Sequence, residues 1–189
     1  MEERTLSSRQ VFAGRLITVR VDEVELANGH RSSREIVEHP GAVAIVALAD
    51  DGGLVLVRQY RKAAETLTLE LPAGTLSGGE DPLACAVREL KEETGYTART
   101  MDELCSFYTA VGFCTEMMHL FLARGLEPGE AANEDDESIE VVLMPVEEAL
   151  EMIDRHTIVD AKTVAGVLWA RLFRAGQRVP GQLSLDATA

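Results

Sequence analysis

Four carboxylates, Glu80, Glu89, Glu92 and Glu93, crowd into the stretch from Gly74 to Tyr96, GTLSGGEDPLACAVRELKEETGY. Glu89, Glu92 and Glu93 are related by steps of three and four residues, so a helix here brings them out on one side, where like charges repel. Each like-charged pair costs on the order of a few tenths of a kcal/mol on an exposed helix, and a bound divalent cation turns that repulsion into attraction. One chemistry that such a cation site serves is attack on a phosphoanhydride. Its anionic oxygens repel a nucleophile, and Mg²⁺ or Mn²⁺ both neutralises that charge and activates water. Such a cation prefers carboxylate oxygens and retained waters. Gly74 lets the backbone turn close to it, so that the Ala73 carbonyl can serve as a further oxygen ligand.

The elements that must position these groups are legible on either side. Asp81 ahead of Pro82 is a helix start, an N-cap acceptor before a proline at the first helical position, and Gly95 is a stop. Leu83, Ala86, Val87 and Leu90 form the stripe expected to dock this helix, with the glutamates facing away from that contact. Upstream, AVAIVALA (Ala42 to Ala49) and LVLVRQY (Leu54 to Tyr60) read as central strands covered on both faces. Thr66 to Leu71 is a further strand, broken at Pro72-Ala73-Gly74.

The region from Gln10 to Glu38 reads as strands at Val11-Phe12, Ile17 to Leu26 and Arg34 to Val37, with Asn28-Gly29 as a hairpin turn whose two residues both tolerate positive φ. Beyond the helix come strands at Cys105 to Tyr108, Met117 to Ala123 and Glu140 to Pro145, an acidic loop from Glu130 to Glu140, and helices at Val146 to Arg155 and Ala161 to Arg174. Ala161, Val164, Val167 and Leu168 are the expected buried side of the last helix. The division is residues 1–40 as N-terminal strands suited to dimerisation, 41–179 as the main domain and 180–189 as a loose tail.

The net charge of −14 argues against a protein that binds nucleic acid by neutralising phosphates. The longest apolar run, Ala42 to Ala49, is far short of the roughly 20 residues that span a bilayer, and no signal-like leader is visible. Three cysteines without a CxxC spacing fit reduced thiols acting as small apolar residues. A cytoplasmic location is expected. His30, His39, His119 and His156 are scattered without metal-ligand spacing.

The pattern of Gly74, Glu80 and Arg88-Glu89-Leu90-Lys91-Glu92-Glu93-Thr94-Gly95, closed by Tyr96 where an aliphatic residue is usual, resembles the Nudix box of hydrolases that act on nucleoside diphosphates linked to another group. The EIVEHPGAVAIVAL, VRQYR, LELPAGT and GFCTEMMHLFLA segments extend the likeness to the ADP-ribose pyrophosphatase branch. The fold implied is an α/β/α sandwich with a central mixed β-sheet, plus an N-terminal antiparallel sheet. The activity implied is divalent-metal-dependent hydrolysis of ADP-ribose to AMP and ribose 5-phosphate by a homodimer whose N-terminal strands reach the partner's site.

On that resemblance Glu89 and Glu93 are metal ligands, Glu92 shares or bridges a second ion, and Arg88 and Glu80 support the cluster. Arg61 binds the phosphates; Arg34, Ile36 and Glu38 lie near the adenine or the dimer seam; Glu116 sits near the terminal ribose, and Arg58 is a surface ion-pair partner. The general base comes from the acidic loop, where Glu134, Asp135, Asp136 and Glu137 compete and alignment on Ile139-Glu140-Val141 favours Glu137. Branch members carry a proline where this chain has Val111, which leaves another nucleotide sugar or a dinucleotide as an alternative substrate. A non-catalytic nucleotide-binding module is the alternative of a different class, although such modules tend to lose box glutamates. A calcium-binding acidic loop lacks the ligand alternation of an EF-hand.

Overall fold

The computed structural model describes residues 2–131 and 138–176, which divide into two compact units. The first comprises the chain up to Gly41 together with Phe107–Met117, and the second comprises Ala42–Ser106 with the chain from Met118 onward.

In the first unit β1 (Arg4–Ala13), β2 (Thr18–Glu25) and β3 (Arg31–Glu38) form an antiparallel sheet in the order β1-β2-β3. β1 begins well before the expected Val11-Phe12, because its ten residues are all exposed and its charges and serines mask the strand pattern. In the turn after β2 only Gly29 has positive φ, at 81°, whereas Asn28 contributes its side-chain oxygen, which accepts the His30 N–H at 3.1 Å. Along β3, Arg34, Ile36 and Glu38 share one face by the two-residue period of a strand. Val37 also exchanges backbone hydrogen bonds with the Phe113–Thr115 segment.

The second unit holds β4 (Ala42–Leu48), β5 (Gly53–Arg61), β6 (Thr66–Glu70), β7 (Ala73–Thr75), α1 (Pro82–Thr94), β8 (Thr97–Tyr108), β9 (Met117–Glu127), β10 (Glu140–Pro145), α2 (Val146–Asp154) and α3 (Ala161–Arg174). The ends of β8 and β9 that adjoin each other cross into the first unit. The sheet runs β10-β5-β4-β9-β8 and is mixed, since β4 pairs parallel with β9 and antiparallel with β5. β8 extends far upstream of Cys105 because it is an edge strand, whose half-exposed, charged first half carries little apolar signal.

β4 and β5 are laddered only at Ala47–Leu48 and then diverge. The chain from 66 to 75 fills the wedge between them, β6 pairing with β5 and β7 with β4. Every residue of β4 is buried, and helices cover both faces of the sheet. Val43, Ile45 and Ala47 pack with Cys85, Ala86 and Leu90 of α1, whereas Val46 and Leu120 face Gly166 of α3.

Two stripes differ from expectation. On α1 the buried residues are Cys85, Ala86, Leu90, Glu93 and Thr94, while Leu83 and Val87 are exposed. The helix packs on β7 as well as on β4, so the side turned toward β7 meets backbone polar groups and must carry carboxylates rather than face them away. On α3 the buried side is Thr163, Gly166, Val167 and Ala170, with Ala161 and Leu168 exposed. Small residues allow the closer approach, and a Cβ at Gly166 would stand 2.3 Å from Leu71 Cδ1 and 3.0 Å from Val46 Cγ2.

Gly166→Ala gains about 1 kcal/mol of helix propensity but overpacks a core site at a cost of about 1–3 kcal/mol. Leu71 and Val46 are both fully buried, so the steric term is expected to win. The urea midpoint should fall with an unchanged m-value.

Candidate active site

Five consecutive residues, Glu70 to Gly74, carry the site, and each is tied to a different group. The Leu71 N–H donates to Thr163 Oγ1 of α3 at 2.9 Å, and the Pro72 carbonyl accepts the Ile45 N–H of β4 at 2.9 Å. That second bond flanks the Ala44–Ala73 pair, making it a non-hydrogen-bonded pair of the antiparallel ladder, so both the N–H and the C=O of Ala73 point away from β4. The N–H is taken by Glu93 Oε2 of α1 at 3.0 Å, and Glu93 is only 5% exposed.

Gly74 lies within β7 at an ordinary φ and so provides close approach rather than a turn. A Cβ there would fall 1.9 Å from Glu89 Cδ, because the Glu89 carboxyl lies directly against the glycine.

Arg88 gathers the remaining acids. Its Nη1 meets Glu89 Oε1 at 2.7 Å and Glu92 Oε2 at 2.8 Å, and its Nε meets Glu80 Oε1 at 3.1 Å. Glu80 Oε2 also accepts the Ser77 N–H at 3.0 Å, which closes the loop ahead of α1. The Arg88 guanidinium, then this backbone bond, holds the Glu80 carboxyl down to about 2. Burial, reinforced by the charges of Glu80 and Glu89, pushes the Cys85 thiol up to about 12, so it is no nucleophile.

Arg61 and Glu70 form the second charged centre. Arg61 Nε and Nη2 each donate to Glu70 at 2.8 Å, Thr68 Oγ1 donates to it at 2.6 Å, and Lys162 of α3 adds an ion pair. Burial raises the Glu70 pKa, but the Arg61 fork and Lys162 overcome it and hold the carboxyl at about 2. The charge of Glu93 reaches Arg61 as well. Neither Glu70 nor Lys162 stands out in the sequence. The available signal is that Glu70 alternates with Thr66 and Thr68 on one face of a strand, a position where a carboxylate needs a cation.

Arg34, Ile36, Glu38 and Glu116 belong to the first unit. Arg34 forks onto Glu3 at 2.9 and 2.5 Å, and Glu38 pairs with Arg20 at 2.9 Å. Glu116 Oε2 accepts the Thr109 hydroxyl at 2.6 Å, and its Oε1 stands 3.7 Å from His39 Nδ1. That nitrogen also accepts the Gly41 N–H at 3.1 Å. Arg58 pairs with Glu140 at 2.8 Å on the surface. Glu137, with Glu134, Asp135 and Asp136, lies outside the described residues.

A NUDIX domain model matches residues 38–167. The chain belongs to the Nudix family. A second model, the nucleoside diphosphate sugar hydrolase N-terminal domain, matches residues 3–37. The chain is 44% identical over 179 residues to an ADP-ribose pyrophosphatase of Bacillus subtilis (strain 168), covering 94% of this chain and 97% of that one. It is 46% identical over 176 residues to a methanol dehydrogenase activator of Bacillus methanolicus, covering 92% and 95%. A crystal structure of an ADP compounds hydrolase superposes with a TM-score of 0.82 at 26% identity, over 93% of this chain and 96% of that one. The mixed sheet between helices is thus the Nudix fold.

Nudix hydrolases generally use divalent metal ions. Among the described residues no three His, Cys, Asp or Glu side chains stand ready-arranged as a cage. Arg88 draws Glu89 and Glu92 to itself, while Glu93 is engaged with Ala73. The donor set still fits a hard cation: it is all oxygen, with Glu89 of α1 lying against Gly74 of β7 and the neighbouring Ala73 carbonyl pointing away from β4.

Gly74→Ala should displace Glu89 while leaving the sheet intact. Metal-dependent turnover is expected to drop about 100-fold, with weaker Mn²⁺ binding by calorimetry and native circular dichroism. A second expectation concerns pH. Because the folded pKa of Glu70 lies below its ordinary 4.5, its stabilisation is present above about 4.5 and drains away as pH falls toward about 2. The stability gap between the native protein and Glu70→Gln, from urea midpoints, should be constant at neutral pH and close over that acid range.

Proposed function

We propose that this Nudix hydrolase cleaves the pyrophosphate bond of ADP-ribose, or a close ADP-sugar, into AMP and ribose 5-phosphate, with Mg²⁺ or Mn²⁺. The observation that carries the reading is the seating of Glu89 and Glu93 against Ala73–Gly74, in a chain so similar over its whole length to an ADP-ribose pyrophosphatase. Glu89, Glu92, Glu93 and the Ala73 carbonyl would hold the cation. When bound, it neutralises the diphosphate and activates water. Glu92 is 43% exposed at its side chain, so it can turn from Arg88 toward that position.

Arg61 takes a phosphate oxygen. Its Nε and Nη2 are spent on Glu70, whereas Nη1 takes no part in that fork, and the side chain is 44% exposed. Gly74 gives the substrate and the glutamates room, Glu80 and Arg88 brace the cluster, and Glu137 is the base on sequence grounds. Arg34, Ile36 and Glu38 serve the adenine or the dimer seam, and Glu116 serves the terminal ribose.

The working form is a homodimer paired through the N-terminal strands, whose β1 exposes Leu6, Val11 and Phe12. Nucleic acid is no partner, given a charge of −14. No helix among the described residues is long and apolar enough to cross a membrane. Three free cysteines support the cytoplasm as its place.

A different nucleotide sugar or dinucleotide is favoured by one feature: Val111, standing where the resembling enzymes carry proline, is 76% exposed at the tip of a turn closed by the Ala110 carbonyl. A substrate panel scored by product identity decides between the two. With Mg²⁺ the purified protein should release AMP from ADP-ribose. Glu93→Gln keeps an oxygen for the Ala73 N–H, so it should stay folded while losing several kcal/mol of transition-state stabilisation, about 1,000-fold in turnover. Absence of product from every nucleotide sugar would overturn the proposal.

A further inference from the structure

We infer that Lys162 is a positioning residue for substrate binding: it fixes Glu70 so that Glu70 in turn presents Arg61 edge-on, with Nη1 outward. The inference rests on the proposed role of Arg61 as a phosphate-binding group.

Glu70 is 2% exposed, and its two oxygens meet four donors. Oε1 accepts Arg61 Nε and Thr68 Oγ1, while Oε2 accepts Arg61 Nη2 and Lys162 Nζ. Four donors fill the four acceptor positions of a carboxylate, leaving it no freedom to rotate. Lys162 is itself held, because its Nζ meets Asp160 Oδ2 at 3.0 Å and its side chain is only 11% exposed. Asp160 is the N-cap of α3, accepting both the Thr163 N–H at 3.0 Å and its hydroxyl at 2.6 Å. Lys162 is thus too enclosed to meet substrate directly, and its influence passes through Glu70. Without it, Oε2 loses a donor and the carboxylate can swing with Arg61 in its grip, so the guanidinium no longer waits in one orientation.

The test compares Arg61→Gln, Lys162→Met and the double variant, measuring kcat and KM for ADP-ribose with Mg²⁺ and ADP-ribose affinity by calorimetry without metal. Lys162→Met should raise KM and weaken metal-free binding about 10-fold, with kcat within about 3-fold. Lys162→Arg should restore most of the loss, and the double variant should be no worse than Arg61→Gln alone. If the Met variant does not fold, Lys162→Gln, whose uncharged amide is one bond too short to restore the ion pair with Glu70, carries the same expectation. Additive losses, or an unchanged KM beside an impaired Arg61→Gln, would overturn the Lys162 assignment and leave the phosphate reading standing. Unchanged affinity in Arg61→Gln would overturn both.

Discussion

The hydrogen bond from the Ala73 N–H to Glu93 fixes where the acidic helix meets the sheet, and most of the site follows from it. Ala73 has an N–H to give because it sits at a non-hydrogen-bonded pair of the β4–β7 ladder, and that register follows from the Ile45–Pro72 bond. A buried N–H without an acceptor would cost about 1–3 kcal/mol, so a side chain of α1 has to supply one. A carboxylate does so with charge assistance, which also explains why a glutamate lies among the buried residues of the helix. One turn earlier Glu89 comes down on Gly74, where only hydrogen leaves it space.

The wedge between β4 and β5 makes this arrangement possible. Had the two strands stayed paired along their length, the chain from 66 to 75 would have had no place in the sheet, and Ala73 could not present its peptide edge to α1. The charges are then distributed by need. A protein with 18 basic and 32 acidic residues commits Arg88 to one group of acids and Arg61 with Lys162 to another, within one packed unit.

Much of this was legible in the sequence. Asp81, Pro82 and Gly95 delimit α1 as read, and the apolar runs at Ala42 and Leu54 are buried central strands. The glutamate spacing and the family resemblance led directly to the Nudix reading. What escaped depends on contacts between elements. The period of α1 does not reveal that a second strand, β7, meets its acidic side, so Leu83 and Val87 looked inward and Glu93 outward. The small side of α3 was hidden because close approach, rather than residue size, decides which positions are buried there. Of edge strands β1 and β8 only the last residues registered, because their earlier stretches are polar and charged. Glu70 and Lys162 are 92 residues apart, and nothing local couples them.

That pair also poses a problem of economy. Replacing a buried ion cluster by apolar side chains of similar volume is often neutral or stabilising by about 1–4 kcal/mol, so stability alone gives no reason to keep Glu70 at 2% exposure. What apolar residues cannot do is orient a guanidinium. Arg61 stands half in solvent on a long flexible stem, and without a fixed acceptor its rotamer freedom would cost on the order of 1–2 kcal/mol to remove on binding an anion. A carboxylate saturated by four donors removes that freedom during folding, before any ligand arrives. The cost of desolvating Glu70 is in turn offset by a fork and an ammonium that the same packing brings together. If Arg61 takes an anion as proposed, the buried cluster is preorganisation of one exposed cation rather than a source of stability, and α3 contributes to it through its first turn.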